Sequence, residues 1–281
     1  MNDAGNDTRF CREHAFVGNP LYRVTSILAP QKSRQLTALH AVFDLLQRIG
    51  RRAQEEGAAR VQLAWWREEC LAGDPAHSDH PALRELHKDG EGRLDSPAFA
   101  RLVDRVEYRL ERPAMTDVEA LWKFCAAQGQ PLLELETALW PGGAHPAGDD
   151  DGLAARRGLW SLLTDCFIAG EKPDAWWAPL DLLARTELKR SEIFAPERAS
   201  EAARMFAGIF SFAGFASARK IDISEIKQPV VHINLLDFLV SRTLRSASGA
   251  TPPDIRRALV RVRVRDFLAA WSLARRVSRR R

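Results

Sequence analysis

The sequence predicts an all-α protein: one helical bundle built as a single domain. Three observations carry this. Apolar residues recur at spacings of three and four over most of the chain. Strand-like alternation is confined to one short stretch, Arg261 to Arg265. The 281 residues are 46% apolar and 28% charged, which suits one globular core and excludes a disordered or fibrous chain.

The elements follow in order. The opening stretch MNDAGNDTRFCREH is polar, so residues from about 1 to 14 are expected to be disordered. It has no apolar signal core, and export by a signal peptide is not expected. Gln35 to Ala53 carries apolar residues at 36, 39, 42, 43, 46, 49 and 53, one stripe of a helix. Ala58 to Ala72 reads as a second helix. Ser96 to Leu110 is a third, with Asp95 or Ser96 as cap and Pro97 in the first turn. Thr116 to Leu139 is a long fourth helix whose TDVE start predicts a capping box of Thr116 and Glu119. Pro141 to Asp151 is a loop by composition. Leu153 to Ala169, Pro196 to Arg219 and Val230 to Ser246 are further helices, and Pro252-Pro253 sets off a basic C-terminal helix over about 254–281. About nine or ten helices are expected, with no repeat and no linker.

Charge is unevenly distributed. From Asp254 to Arg281 there are ten arginines and two acids, a surplus of eight. The whole chain carries only +4, so the remainder is acidic by four. The tail also holds Phe267, Leu268 and Trp271, apolar groups it can bury. Such a segment fits a last helix packed on the core with solvated arginines, or one lying on an anionic membrane surface. No nucleic-acid motif accompanies the arginines, so a nucleic-acid partner is not expected. No apolar run reaches the roughly 18–20 residues of a membrane span. A cytoplasmic protein, peripheral at the inner membrane if the tail binds lipid, is the expectation. The four cysteines (Cys11, Cys70, Cys125, Cys166) are dispersed and read as reduced thiols.

Candidate chemistry is sparse. His77, Asp79, His80 and His87 form the best metal-like group, but they sit around a Pro-containing loop with no distant partner pair. Asp149 to Asp151 suit a solvated helix start better than a magnesium site. Neither metal nor cofactor is expected. P-loop, GxSxG, HExxH and GxGxxG motifs are absent. Trp65 and Trp66 are adjacent on a helix and cannot share a face, so one should be core and the other semi-exposed.

Several stretches, taken together and in order, resemble the squalene/phytoene synthase family. Asn19 to Pro30 (NPLYRVTSILAP) looks like its opening helix, with Tyr22 at a tyrosine position. Ala38 to Arg51 (ALHAVFDLLQRIGR) is similar to the helix that carries its first aspartate-rich motif. VQLAWWREE from Val61 to Glu69 matches its WWREE segment, HPALREL from His80 to Leu86 its HPVxxAL, and APLDLLART from Ala178 to Thr186 its LPxDLLAR. The basic tail is similar to its C-terminal end. The resemblance implies the isoprenoid (terpenoid) synthase fold, a helical bundle around a cavity. It also implies a chemistry, the head-to-head joining of prenyl diphosphates. Two aspartate clusters on facing helices hold Mg²⁺ against the leaving diphosphate.

Under that resemblance the metal ligands are missing. The first motif falls on Gln47, Arg48 and Arg51; the second falls on Cys166, Ala169 and Gly170, or on Ala169, Lys172 and Pro173. Cations at such positions repel Mg²⁺. Asp44, Asp165 and Glu171 are the acids near enough to replace the lost ligands. Asp174 to Trp177 stands where the family has a phosphate-contacting loop. The pattern is similar to a degenerate branch that includes mitochondrial complex I assembly factors. The expectation is therefore a pseudoenzyme that binds a prenyl diphosphate, quinone or lipid, or a partner protein, at the membrane. Tyr22, Arg48, Arg51, Trp66 and Arg67 are its candidate ligand-binding residues. The alternative is an active, Mg²⁺-dependent prenyltransferase with displaced ligands.

Overall fold

A computed structural model describes residues 3–15, 33–51, 55–71, 78–88, 96–139, 150–169, 175–212, 215, 231–247 and 249–260. Among the described residues there are eleven α-helices and no strand. They are α1 (Asp3–His14), α2 (Ser33–Arg51), α3 (Glu56–Leu71), α4 (Pro81–His87), α5 (Ser96–Leu110), α6 (Val118–Ala138), α7 (Asp150–Thr164), α8 (Leu180–Thr186), α9 (Ala199–Ser211), α10 (Val231–Ala247) and α11 (Pro252–Val260). A π-helical turn, Asp165–Ala169, continues α7, and two 3₁₀ turns, Arg190–Glu192 and Pro196–Arg198, precede α9.

The helices lie close to where the spacing places them, because each buries the stripe that defined it. Leu36, Leu39, Val42, Phe43, Leu46 and Ile49 of α2 are all buried. In α5 the buried row is Phe99, Leu102, Val103, Val106 and Leu110. One hydrophobic core runs from Cys11 in α1 to Leu259 in α11. Around it α1 packs on α2 and α4, α3 on α5, α5 on α6, and α7 between α6 and α10.

Among the described helices, α6 and α7 make the most extensive contact. A Cβ on Gly129 would overlap the Ala154 carbonyl, and one on Gly158 would overlap the Cys125 carbonyl. Glycine at both positions lets the two backbones touch with no side chain between them.

Several expectations are corrected. Residues 3–14 form a helix where disorder was expected. Its inner face sets buried Asp7 and half-buried Thr8, which hydropathy does not register as core, beside buried Cys11 and Ala15. Arg84 grips both Asp7 oxygens at 2.7 and 3.1 Å, and Thr8 donates to Glu85 at 2.7 Å. The cap of α6 is Asp117, whose carboxylate accepts from Ala120 N at 2.8 Å, not Thr116. The helix expected from Pro196 to Arg219 is a 3₁₀ turn followed by α9, which ends at Ser211. Pro252 and Pro253 begin α11. The rest of the basic tail, residues 261–281, lies outside the described residues, as do Tyr22, His77 and Glu171.

Candidate functional site

Four side chains from three elements meet inside the bundle. Gln47 and Arg51 sit one turn apart on α2, Arg109 near the end of α5, and Asp165 at the first position of the π turn after α7. Arg51 Nη1 donates to Asp165 Oδ1 at 3.0 Å. Arg109 Nη1 donates to Asp165 Oδ2 at 2.6 Å and to Gln47 Oε1. Asp165 is 7% exposed and Arg109 8%. Both oxygens of the carboxylate are thus saturated by guanidiniums in a low-dielectric setting, where such bonds are strong. The π turn matters here, since such turns break helix register and gather at functional positions. Asp44 lies one turn before Arg48, and its charge acts on Arg51. Burial lowers the Arg51 guanidinium's pKa from its ordinary value; Asp165 opposes this, while Arg109 and Arg48 add to it.

Beside this cluster is a space of about 10 Å³, room for one water-sized group. Gln47 and Arg109 line it, with Gln128, Ser161 and Arg157 as further polar groups and Phe43, Phe124, Leu132 and Leu162 as apolar wall. Its narrowness follows from the glycine contact of α6 and α7: Gly129 and Gly158 both line it, and they bring those backbones together. Behind it lies a second buried ion group. Arg157 pairs with Glu136, which is fully buried, and His40 Nε2 lies 3.0 Å from the other Glu136 oxygen. Trp176 and Trp177 fill volume nearby. Trp177 is wholly buried against Phe206, and Trp176 stands edge-on to Phe124 at 5.4 Å.

The residues expected to matter divide. Arg51 and Asp165 are in the cluster and bound to each other. Arg48 reaches outward and donates to His14 Nδ1 of α1 at 3.2 Å. Trp66 is buried against His80, ring centroids 4.6 Å apart, while its neighbour Trp65 is 43% exposed, the division that adjacency required. Neither Trp66 nor Arg67 lines the space. Arg67 bonds Asp104 at 2.6 Å and Glu107 at 2.8 Å, strapping α3 to α5.

The histidines near residue 80 serve local structure. His80 Nδ1 caps α4 by accepting from Ala82 N at 3.2 Å, and His87 Nδ1 lies 2.9 Å from the Leu83 carbonyl. Burial moves the His80 pKa down to about 4. Among the described residues no group of three or more acids, histidines or cysteines converges on a metal-binding geometry. All four cysteines are buried and none is in a disulfide, with burial pushing Cys11 and Cys70 up to about 12.

Sequence reasoning missed Arg109, Arg157, Glu136, His40, Gln128 and Ser161. The signal was present for four of them. Arg109 follows Leu102 and Val106 by seven and three residues. Arg157 follows Leu153 by four, Glu136 follows Leu132 by four, and His40 follows Leu36 by four. Each is a titratable side chain on its helix's apolar stripe, so each must be buried and paired.

The comparisons with known proteins bear on the family and the fold. The sequence model of the squalene/phytoene synthase family matches residues 17–218. A dehydrosqualene synthase, solved in complex with ligand, superposes over 99% of this chain and 98% of its own. Its TM-score is 0.63 and its sequence identity 10%. No curated protein sequence matches the chain.

Proposed function

The chain belongs to the squalene/phytoene synthase family, and from that premise we propose that it is a member whose diphosphate chemistry is silent. The single observation that supports this is the state of Asp165. The Asp-rich positions of the family imply carboxylates facing each other and open to Mg²⁺. Here Gln47 and Arg51 face Asp165, and Asp165 already neutralises two guanidiniums. A divalent ion there would meet Arg51 and Arg109 within a few ångströms of the carboxylate it needs, and their repulsion outweighs what one aspartate offers. The residues present do not fit the metal, and no step is routed through it.

The protein would then act by binding. The degenerate branch with complex I assembly factors is the nearest functional analogy, and a prenyl or quinone ligand, a lipid or a partner protein is the object bound. The space beside Arg109 is too small for a C15 or C20 chain. Arg256 and Arg257 of α11 are exposed, and they continue into the arginine-rich residues 261–281. We assign contact with an anionic membrane to this end of the chain. No helix among the described residues is long and apolar enough to cross a membrane.

The test is incubation of the pure protein with farnesyl or geranylgeranyl diphosphate, with Mg²⁺ or Mn²⁺, and measurement of released pyrophosphate. None is expected at any metal concentration. Metal-dependent turnover that Asp44→Ala or Asp165→Ala abolishes would refute the reading and establish the displaced-ligand enzyme.

A further inference from the structure

We propose that α1 is an acid-released strap: two histidines keep it docked on the bundle only while both are neutral. One of them, His14, is on α1 itself. The other, His80, caps α4, against which α1 packs. Three observations converge on this joint.

The first is how the rings are bonded. A guanidinium can only donate, so His14 Nδ1 accepts from Arg48 Nη1 of α2, at 3.2 Å. A backbone N–H can only donate, so His80 Nδ1 accepts from Ala82 N, also at 3.2 Å. A protonated imidazole has no acceptor nitrogen left. One proton on each ring therefore sets donor against donor, and at Arg48 charge against like charge.

The second is where the rings sit. Phe10 of α1 touches both, its centroid 4.2 Å from His14 and 5.4 Å from His80, and the two histidines are near enough for their charges to interact. The other charged groups at the joint are Asp7 and Glu13 from α1, Arg48 from α2, Glu69 from α3 and Arg84 from α4. The acids already have partners: Glu13 pairs with Arg9, Asp7 with Arg84, and Glu69 accepts from Ser78. At the far end of α1, Arg34 and Glu85 pair with each other. Undocking α1 carries His14 away from Arg48 and His80 and relieves the repulsion that protonation creates. Trp65 and Trp66 attract a charged His80 through their ring faces, but both belong to α3, so that attraction does not hold α1.

The third is how little else fastens α1. Its described buried apolar side chains are Cys11 and the following Ala15, and its other ties are polar, Arg84 to Asp7 and Thr8 to Glu85. A helix resting on so small an apolar area opens before the core does. The sign of the pH effect follows from the rings. Burial first, then Arg48 for His14 and Arg84 for His80, lowers both pKa values from 6.5, His80 to about 4. The released form thus binds more protons, and docking is favoured above about pH 6.5 and loses ground as pH falls. The inference does not depend on the silent-chemistry reading, because it concerns the α1 joint and not Asp165.

Cys11 reports the release, being 1% exposed on the inner face of α1. Cys125 of α6, wholly buried, reports global opening. The experiment is labelling of the full chain with 4,4′-dithiodipyridine, which reacts with thiols in mild acid, with each cysteine followed by peptide mass spectrometry. Corrected for the free-thiol rate, Cys11 labelling should rise about tenfold or more from pH 6.5 to pH 5, while Cys125 stays protected. The double variant His14→Asn, His80→Asn keeps an acceptor at both places and removes both titrating rings, so it should lose the rise. A flat wild-type profile, an equal rise at Cys125, or an unchanged rise in the double variant would each overturn the proposal. Should the double variant fail to fold, His80→Asn alone decides: a smaller rise at Cys11 supports the strap, and an unchanged one overturns it.

Discussion

Replacing Asp165 by alanine asks whether this carboxylate is a metal ligand in waiting or a lock. A ligand poised for Mg²⁺ sits among like charges in an open site, so its removal relieves repulsion and leaves stability equal or higher. Asp165 has the opposite surroundings. It is 7% exposed and bonded to Arg51 at 3.0 Å and to Arg109 at 2.6 Å. Removing one partner from a buried ion group costs about 3–5 kcal/mol, chiefly because the remaining charge is left uncompensated. Here two guanidiniums are abandoned. The Arg51 side chain is 23% exposed and recovers some hydration; Arg109, at 8%, recovers little. The lower half of the range, about 3–4 kcal/mol, is therefore expected, which in a domain of this size lowers Tm by roughly 10 °C. Urea unfolding followed by circular dichroism measures it. A loss below about 1 kcal/mol, or any gain, would refute the lock and restore Asp165 as a candidate ligand.

Gly158→Ala should destabilise by about 2–3 kcal/mol or more, because its methyl overlaps the Cys125 carbonyl and forces α6 and α7 apart; a Tm within a degree of wild type would contradict the backbone contact. Acid should weaken the fold through His80. Its folded pKa, near 4, lies below the ordinary value of 6.5, so the unfolded chain binds the extra proton. Stability is full above about pH 6.5 and falls as pH drops toward about 4. His14, also lowered by burial, adds in the same direction. His80→Asn keeps a side-chain cap without a titrating ring, so its stability should vary less with pH over that window; an unchanged slope would free His80 of the effect. Deleting residues 261–281 should weaken binding to anionic vesicles and leave neutral vesicles unaffected, each basic residue near the surface contributing on the order of 1 kcal/mol; equal binding with and without the segment would end the membrane assignment.

How far the sequence reached depended on which kind of burial was involved. α2 and α5 were legible because leucine, valine and phenylalanine hold their inner faces, and the WWREE and PLDLLAR stretches carried the family. α1 was not, since its inner face is made from Asp7, Thr8 and Cys11, and its docking depends on Arg84 and Glu85 about 77 residues away. The fate of the lost metal positions was half legible. That Gln47 and Arg51 could not hold Mg²⁺ followed from residue type. That Arg109 would arrive from another helix to complete an Arg–Asp–Arg group did not, because nothing in local spacing says which stripe intruders meet. The tightness of the interior was hidden for a similar reason. Gly129 and Gly158 are unremarkable in a sequence, and only the pairing of α6 with α7 makes them a contact.

That glycine contact decides where the molecule can yield. Helices held apart by side chains can breathe as rotamers change; two backbones in contact have no such slack, so α6 and α7 move as one rigid plate. Around the described space beside Arg109, the side that can widen is the one formed by α2 and α5. The latch on that side is ionic, for Arg51 and Arg109 belong to the moving side and Asp165 to the fixed one. The bundle is thus hinged like a book whose spine is glycine and whose clasp is a carboxylate.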